Sequence, residues 1–226
     1  MMRKGRLIVI EGLDGSGKET QSRLLYNRLL DMGEKVMRIS YPRYEKESSA
    51  LVKMYLKGDF GKNPDSISPY ISSTFFAADR YASFKTEYED FYKNGGIVIA
   101  DRYTTSNMMH QGGKIKDISE KQKFLDWLWD LEFNIYKIPI PDKVLFLDIP
   151  AAYSLKRIKD RKNKITNESQ KDIHESNEEH LKNAYKAAVE MVERYNWIRI
   201  DCLKNGESKT VEEINSEILE LVMENR

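Results

Sequence analysis

Residues 7–18 of the chain read LIVIEGLDGSGK, an apolar run that passes into a glycine-rich stretch ending at Lys18. The run over 7–10 is short and apolar throughout, as in a strand that is covered on both faces. Beyond Lys18, apolar residues recur at helical spacing, and Gly33 follows them as a stop signal. The stretch therefore predicts a buried strand, a tight loop and a helix in direct succession.

The glycine-rich stretch has the spacing of a Walker A loop, which binds phosphate groups. Glycines let the backbone curl so that N–H groups point at phosphate oxygens, which a Cβ would obstruct. The helix N-terminus adds its positive dipole end, and Lys18 supplies a mobile charge. A turn that caps the helix and binds nothing is the alternative. The predicted nucleotide-binding residues are Gly12, Asp14, Gly15, Ser16, Gly17, Lys18, Glu19 and Thr20.

The loop departs from the Walker A pattern at one position. A Ser or Thr that holds Mg²⁺ normally follows the lysine, whereas this chain has Glu19, with Thr20 next. A carboxylate is a hard oxygen ligand, so Glu19 is predicted to contact the ion directly or through water.

Five short β-like runs alternate with long helical patterns. They occupy residues 7–10, 35–39, 97–100, 144–148 and 197–201. This alternation predicts the α/β class, as a three-layer P-loop NTPase fold with a five-stranded parallel sheet flanked by helices. Because no repeat, Pro/Gly linker or low-complexity stretch marks a boundary, residues 1–226 are predicted to form a single domain.

Two later helical patterns are expected to pack on the sheet through apolar stripes. The stripe of the first consists of Ile71, Phe75, Ala78 and Ala82. This helix should end before the glycine pair at 95–96. The second helix opens with Thr210 and Glu213 in capping-box spacing.

The composition narrows the function classes. The 226 residues include 37 Lys and Arg against 36 Asp and Glu, a formal charge of +1, and one cysteine. A chain of this length needs no disulfide or structural metal, and its near-neutral charge argues against a nucleic-acid binder. The apolar runs are far shorter than the ~20 residues of a membrane span or the ~7–15 of an export signal, so we expect a cytoplasmic protein without a membrane partner.

One segment departs from the balanced charge. Residues 156–164 carry six basic side chains against the single acid Asp160. This predicts an exposed basic loop, with a solvated helix end as the alternative.

Asp101-Arg102-Tyr103 follows the third predicted strand, at the carboxyl edge where open α/β sheets bind ligands. An Asp there can contact Mg²⁺ or its water, and the Arg can hold phosphates through a bidentate fork. Capping of the next helix is the alternative for Asp101. The predicted metal ligands are Glu19 and Asp101.

The landmarks occur in one order over nearly the whole chain. They are Glu11–Lys18, Tyr41–Tyr44, Phe76–Arg80, Asp101–Tyr103, Ser106-Asn107, Leu155–Arg157 and Lys171–Glu175. Together they resemble the thymidylate kinase family. The resemblance implies that ATP phosphorylates dTMP to dTDP on a Mg²⁺-requiring homodimer, with a basic lid at about 156–174 over the phosphates.

Phe76 and Arg80 are four residues apart and share a helix face, so the ring can stack on a base whose edge the guanidinium reads. Core packing is the alternative for Phe76. Arg80 has only donors and suits thymine O4 but opposes the cytosine amino group, and the Asn107 amide can pair with N3. Uracil lacks only a methyl group, so some activity on dUMP is expected.

By resemblance, Arg43 and Arg102 are candidates for binding the acceptor phosphate, with Tyr41, Tyr44 and Ser106 in the same predicted substrate set. Surface exposure is the alternative for each taken singly.

Some relatives carry an arginine inside the phosphate loop, where this chain has Gly15 and Ser16. The basic lid is then the source of positive charge at the transferring phosphoryl, with Arg161 favoured and Arg157 in reserve. The predicted catalytic residues are Lys18, Asp14, Asp101, Arg102 and Arg161.

The three histidines receive no metal assignment. His110 stands where many relatives place a Tyr near the sugar, and a packed or solvated histidine is the alternative. His174 and His180 are six residues apart, which is not a metal-ligand spacing on one helix.

Other functions stay open at this point. A deoxynucleoside kinase or another pyrimidine nucleotide kinase would share the loop. A P-loop switch that reads guanine needs Asn-Lys-x-Asp, and residues 163–166 read NKIT without the Asp. A nucleic-acid binder would have to use the basic lid.

Overall fold

A five-stranded parallel sheet forms the centre of the computed structural model, which describes residues 5–154, 172–174 and 177–224. Its strands, in the spatial order β2-β3-β1-β4-β5, are β1 (Arg6–Glu11), β2 (Val36–Ser40), β3 (Ile97–Asp101), β4 (Lys143–Asp148) and β5 (Ile198–Asp201). Leu203–Lys204 (β6) and Glu207–Ser208 (β7) form a separate antiparallel pair. The predicted α/β class and all five predicted strands are confirmed.

Helices cover both faces of the sheet. They are α1 (Lys18–Asp31), α2 (Ala50–Lys57), α3 (Pro69–Ser83), α4 (Glu89–Lys93), α5 (Thr104–His110), α6 (Ile118–Trp129), α7 (Glu178–Arg194) and α8 (Val211–Met223). π-helical turns at Phe84–Tyr88 and Asp130–Ile135 follow α3 and α6. None of the helices in the described part of the chain is long and apolar enough to span a membrane.

Side chains of β1 alternate between two cores. Leu7 and Val9 pack with residues of α5, α6 and α7, whereas Ile8 and Ile10 pack with α1 and α8. Both sets are fully buried, because each strand residue meets a helix on its own side of the sheet. This burial explains why the predicted strands are apolar throughout.

The predicted capping box at the start of α8 is confirmed, since Thr210 and Glu213 exchange hydrogen bonds with each other's backbone N–H. The predicted stripe of α3 is wrong. Ile71 is 51% exposed, while Asp79 and Arg80 on the other face are buried. The polar residues of α3 face inward because Arg80 lines a cavity beside the sheet and Asp79 accepts a hydrogen bond from the Arg43 N–H.

Three buried tyrosines should lower the free energy of unfolding at high pH. Burial raises the pKa of Tyr41, Tyr88 and Tyr103 well above the ordinary value. The unfolded chain loses these protons from about pH 10, so the free energy of unfolding should be constant well below that pH and fall above it. Urea unfolding at increasing pH, with tyrosinate absorbance, measures this. Ionisation of all 13 tyrosines before unfolding would contradict it.

The predicted basic loop at 156–164, with Arg157 and Arg161, lies outside the described residues, as does the predicted lid apart from residues 172–174.

Candidate active site

The glycine-rich loop joins the end of β1 to the start of α1. Gly17 is the residue before the helix and has a φ of 98°, in the left-handed region that favours glycine. Gly12 has a φ of 152°, and a Cβ there would lie 2.7 Å from Ser16 Oγ and 3.0 Å from the Leu147 carbonyl oxygen. The loop conformation therefore depends on glycine at these two positions.

Replacing Gly12 with Ala should lower the free energy of unfolding by about 1–3 kcal/mol, because it combines backbone strain with contact against a backbone oxygen. Gly33→Ala is the matched control. Gly33 also has a positive φ, of 78°, but a Cβ there meets open space, so its loss should be smaller. Urea unfolding of both variants measures the difference, and equal losses would exclude the role of the close contact.

Lys18 is folded back over the loop. Its ammonium donates to the carbonyls of Gly12 at 2.8 Å and Leu13 at 2.6 Å, and the side chain is 6% exposed. Burial lowers the pKa of Lys18 to about 7, and the charge of Arg102 contributes. The Ser16 hydroxyl is also buried and has no hydrogen-bond partner among the described residues. An anion in this loop would give the Ser16 hydroxyl a partner and the Lys18 ammonium a counter-charge.

A cavity, here called the loop cavity, opens beside these groups. It is lined by Asp14, Gly15, Gly17, Lys18, Glu19, Thr20, Ser40, Tyr41, Asp101 and Arg102. Asp101 is buried at the end of β3 and accepts a 3.4 Å hydrogen bond from the Ser40 hydroxyl. The capping alternative for Asp101 is wrong, because Tyr103 precedes α5 and no side chain caps that helix.

A second cavity, here called the aromatic cavity, adjoins the loop cavity. All of the predicted substrate residues except Arg43 line it: Tyr41, Tyr44, Phe76, Arg80, Arg102, Ser106, Asn107 and His110. The half-buried ring of Phe76 also packs edge-to-face on Tyr55 at 6.1 Å. Both cavities are lined by Asp14, Tyr41 and Arg102, so groups bound in the two cavities would approach each other at these side chains.

Arg102 lies at the junction of the two cavities. Its φ of 68° is unusual for a residue other than glycine, which indicates that the surrounding contacts hold it there. The guanidinium pairs with Asp14 at 2.6 Å and lies 3.7 Å from Glu11. The strained backbone and the two carboxylates aim the side chain at the gap between the cavities.

Glu11 was not among the predicted site residues. It is fully buried at the end of β1 and accepts hydrogen bonds from the Gly12 N–H at 3.0 Å and from the hydroxyls of Thr105 at 2.7 Å and Ser106 at 2.8 Å. These contacts connect the glycine-rich loop to α5. Its position directly between the apolar run 7–10 and the glycine-rich loop was the sequence signal.

Glu132 was also missed, and no local pattern marks it. It comes from the π-helical turn after α6 and binds Arg80 through two 2.7 Å hydrogen bonds, to Nε and Nη2. The Thr104 hydroxyl donates to it at 2.8 Å. Both members of the ion pair are buried, so Glu132 holds the guanidinium in one orientation at the wall of the aromatic cavity.

Two predicted substrate residues have partners of their own. Arg43 lines neither cavity, and its guanidinium pairs with Glu87 and, at 3.4 Å, with Glu45. Asn107 lines the aromatic cavity and donates through Nδ2 to the Ser73 carbonyl at 3.3 Å.

Spacing on a single helix does not apply to His174 and His180, because the two residues are not on one helix. α7 begins at Glu178, so His174 lies in the segment before it and is free to turn towards α5. The side chain of His174 lines the aromatic cavity together with His110.

The fold and these two adjoining cavities define the class of P-loop enzymes that bind a nucleotide at the loop after the first strand. Comparison with known proteins narrows the class. A family model described as thymidylate kinase matches residues 10–215. The chain is 30% identical to the thymidylate kinase of Prochlorococcus marinus (strain NATL2A) over 225 residues, 97% of this chain and 98% of that one. It is 31% identical to the thymidylate kinase of Schizosaccharomyces pombe over 220 residues, 97% and 92% of the two chains.

The fold is likewise similar to the solved structure of thymidylate kinase from Candida albicans. The TM-score is 0.73 at 23% identity, and the match covers 98% of this chain and 92% of that one. The chain belongs to the thymidylate kinase family.

Proposed function

We propose that the chain transfers the γ-phosphoryl group of ATP to dTMP, giving ADP and dTDP, with ATP in the loop cavity and dTMP in the aromatic cavity. The observation that carries the assignment of the two ligands is the junction of the cavities at Asp14, Tyr41 and Arg102. Transfer between two bound phosphates requires such an opening, and membership of the family supports both substrates.

On the donor side, the loop N–H groups, the Ser16 hydroxyl and Lys18 bind the ATP phosphates. Lys18 gives up its two carbonyl contacts for phosphate oxygens, which restore its charged form. Gly12, Gly15 and Gly17 let the backbone approach the phosphates without a Cβ.

On the acceptor side, Phe76 stacks on thymine and Arg80 donates to O4, while Asn107 pairs with N3. The buried Glu132 supports this assignment because it keeps Arg80 a charged donor in a fixed place. A cytosine amino group would face these donors and leave buried groups unpaired, at about 1–3 kcal/mol each. His110 lies at the sugar end.

Around the acceptor phosphate, Arg102 is the main positive group, with Tyr41, Tyr44 and Ser106 nearby. Arg43 would first have to leave Glu87. Asp14 orients Arg102 through their ion pair.

Mg²⁺ fits the loop cavity because the residues there offer hard oxygen ligands. Asp101 and Glu19 border it, and within the described part of the chain the Asp101 carboxylate has one long hydrogen bond, from Ser40. The ion would neutralise charge on the β and γ phosphates when bound. The acceptor phosphate is already anionic near neutral pH, so the transfer needs in-line positioning and exclusion of water rather than a strong base.

The lid assignment is tested through Arg161. If this arginine neutralises charge on the transferring phosphoryl, Arg161→Ala should lower kcat at least tenfold, far above the effect of a solvated surface charge. Arg157→Ala is the matched variant and should lose less. Steady-state kinetics decide the point, and a loss below tenfold for Arg161→Ala would remove it from the mechanism.

We also propose a cytoplasmic homodimer of single-domain chains, each with a lid at about 156–174. Exposed apolar side chains on α2 and α3, including Leu51, Met54, Ile71 and Tyr81, support the dimer, because an interface between two chains would remove such side chains from water. Sedimentation tests the dimer directly.

A coupled ADP-release assay with dTMP, dUMP, dCMP, the ribose form of TMP and thymidine tests the function. We expect turnover of dTMP and weaker turnover of dUMP. Turnover of thymidine without dTMP would favour a deoxynucleoside kinase, and turnover of dCMP without dTMP would overturn the thymine assignment.

A further inference from the structure

The three histidines of the chain meet at one point. His110 comes from the end of α5, His174 from the segment before α7 and His180 from the first turn of α7. One ring nitrogen of each lies within 4.8 Å of those of the other two, and all three side chains are buried. Residues from three separate elements thus place all the imidazoles of the protein in one cluster.

We propose that this histidine cluster is a binding site for a divalent transition-metal ion of the zinc type, with His110, His174 and His180 as ligands. Three imidazoles with a fourth position left open form a common zinc site. Imidazole nitrogens favour Zn²⁺, Co²⁺ and Ni²⁺ over Mg²⁺, so this site is distinct from the proposed magnesium ligands.

The distances suit such an ion. His110 Nδ1 and His180 Nε2 are 3.3 Å apart, and two nitrogens at 2.0–2.1 Å from a tetrahedral zinc ion are separated by about 3.4 Å. The ring centroids are 4.3–5.5 Å apart. The ring planes lie within 6–29° of parallel, so the imidazoles have to rotate and the 4.8 Å spread has to close before their in-plane lone pairs converge on one ion.

The environment keeps the rings in the form that binds metal. Burial lowers the pKa of His110 and His174 well below the ordinary value, and that of His180 to about 4. A neutral imidazole is the ligating form. The Tyr55 hydroxyl lies 2.9 Å from His174 Nε2 and 3.4 Å from the Pro64 carbonyl, so it can accept from the ring while donating to Pro64. His174 Nδ1 is then available to an ion, because the outer partner of a metal-bound histidine hydrogen-bonds to the ring nitrogen that does not bind the metal.

Two positively charged side chains near the cluster, Arg102 and Lys114, lower its affinity for a metal ion. Arg102 Nη1 lies 3.4 Å from His110 Nε2, and a guanidinium only donates, so metal-bound His110, with its proton on Nε2, has to lose this contact. Arg102 keeps Asp14 at 2.6 Å and Ser106 at 3.3 Å. Lys114 is held by Tyr55 and Pro64, and burial lowers its pKa to about 8.

His180 also lines a small polar cleft, whereas His110 and His174 line the aromatic cavity. The acids Asp65 and Glu179 and the bases Lys114 and Lys116 border this cleft, so its formal charge is balanced. The proposal does not depend on the kinase activity.

The test uses untagged full-length protein freed of metal with a chelator. Titration with Co²⁺ should give one bound equivalent with the intense visible band of a tetrahedral site, and Zn²⁺ should displace it. Loss of an outer partner weakens metal binding roughly 10–100-fold. Because His180→Ala removes a ligand itself, it should weaken Co²⁺ binding by at least that factor. Asn183 lines the same cleft but has no imidazole, so the Asn183→Ala protein should bind Co²⁺ with the affinity of the unchanged protein.

A second measurement needs no variant. The chain has three histidines and therefore three ring Hε1 signals, and one equivalent of Zn²⁺ should shift all three in the NMR spectrum at the same point of the titration. Absence of the visible band, unchanged affinity in a folded His180→Ala protein, or movement of fewer than three signals would overturn the metal site. The cluster would then be a hydrogen-bonded wall of the aromatic cavity.

Discussion

Replacing Lys18 with Ala is expected to lower kcat/KM about 10²–10³-fold, or 2.7–4 kcal/mol of transition-state stabilisation. The ammonium supplies positive charge to the phosphate oxygens in the loop, and its removal leaves the loop N–H groups and the Ser16 hydroxyl without that charge. Steady-state kinetics with saturating dTMP and varied ATP measure the effect. Lys35→Ala, at an exposed lysine before β2, is the control and should retain full activity.

The same substitution should leave the free energy of unfolding unchanged or raise it. Lys18 is buried, and burial makes its charged form costly, as the pKa of about 7 records. Alanine removes that cost. Loss of activity together with unchanged or greater stability separates a functional lysine from a structural one, whereas a Lys18→Ala protein that keeps more than a tenth of its activity would exclude the proposed role.

Replacing Glu132 with Ala should lower the free energy of unfolding by about 3–5 kcal/mol, because it leaves the buried guanidinium of Arg80 without its counter-charge. Both charge-assisted hydrogen bonds are short, at 2.7 Å, and the Thr104 hydroxyl loses its acceptor as well. Urea unfolding measures the loss, and a value below about 1 kcal/mol would contradict the role of the pair.

The double variant Arg80→Met with Glu132→Leu is the matched control. Replacing both members of a buried ion pair with apolar residues is often neutral or stabilising, so stability should return. Turnover of dTMP should not return, because the donor to thymine O4 is gone. Recovery of both stability and turnover would show that Arg80 does not contact the base.

The sequence predicted the glycine-rich loop well and the side chains around the aromatic cavity less completely. Gly12 to Lys18 form one local motif whose spacing specifies strand, loop and helix. The inward face of α3 was predicted wrongly because periodicity equates apolar with buried. Here Asp79 and Arg80 are buried through partners from elsewhere in the chain, and Ile71 is left outside.

Glu132 shows why the other residues around the cavities could not be predicted from the sequence. It is separated from Arg80 by 52 residues and contacts it from a π-helical turn. The pattern of apolar residues does not predict such a turn, because its repeat differs from that of an α-helix. The histidine cluster has the same origin, since His110 and His180 are 70 residues apart.

By itself, the sequence determined the order of strands and helices, the glycine-rich loop and the type of ligand that the loop suits, because these depend on backbone conformation and the period of apolar residues over a few neighbours. Only the tertiary structure decided which charges pair, which face of α3 lines a cavity, and that two cavities join at Arg102. Those outcomes depend on burial, and a charge is stable away from water only when the fold brings a partner to it from a distant part of the chain.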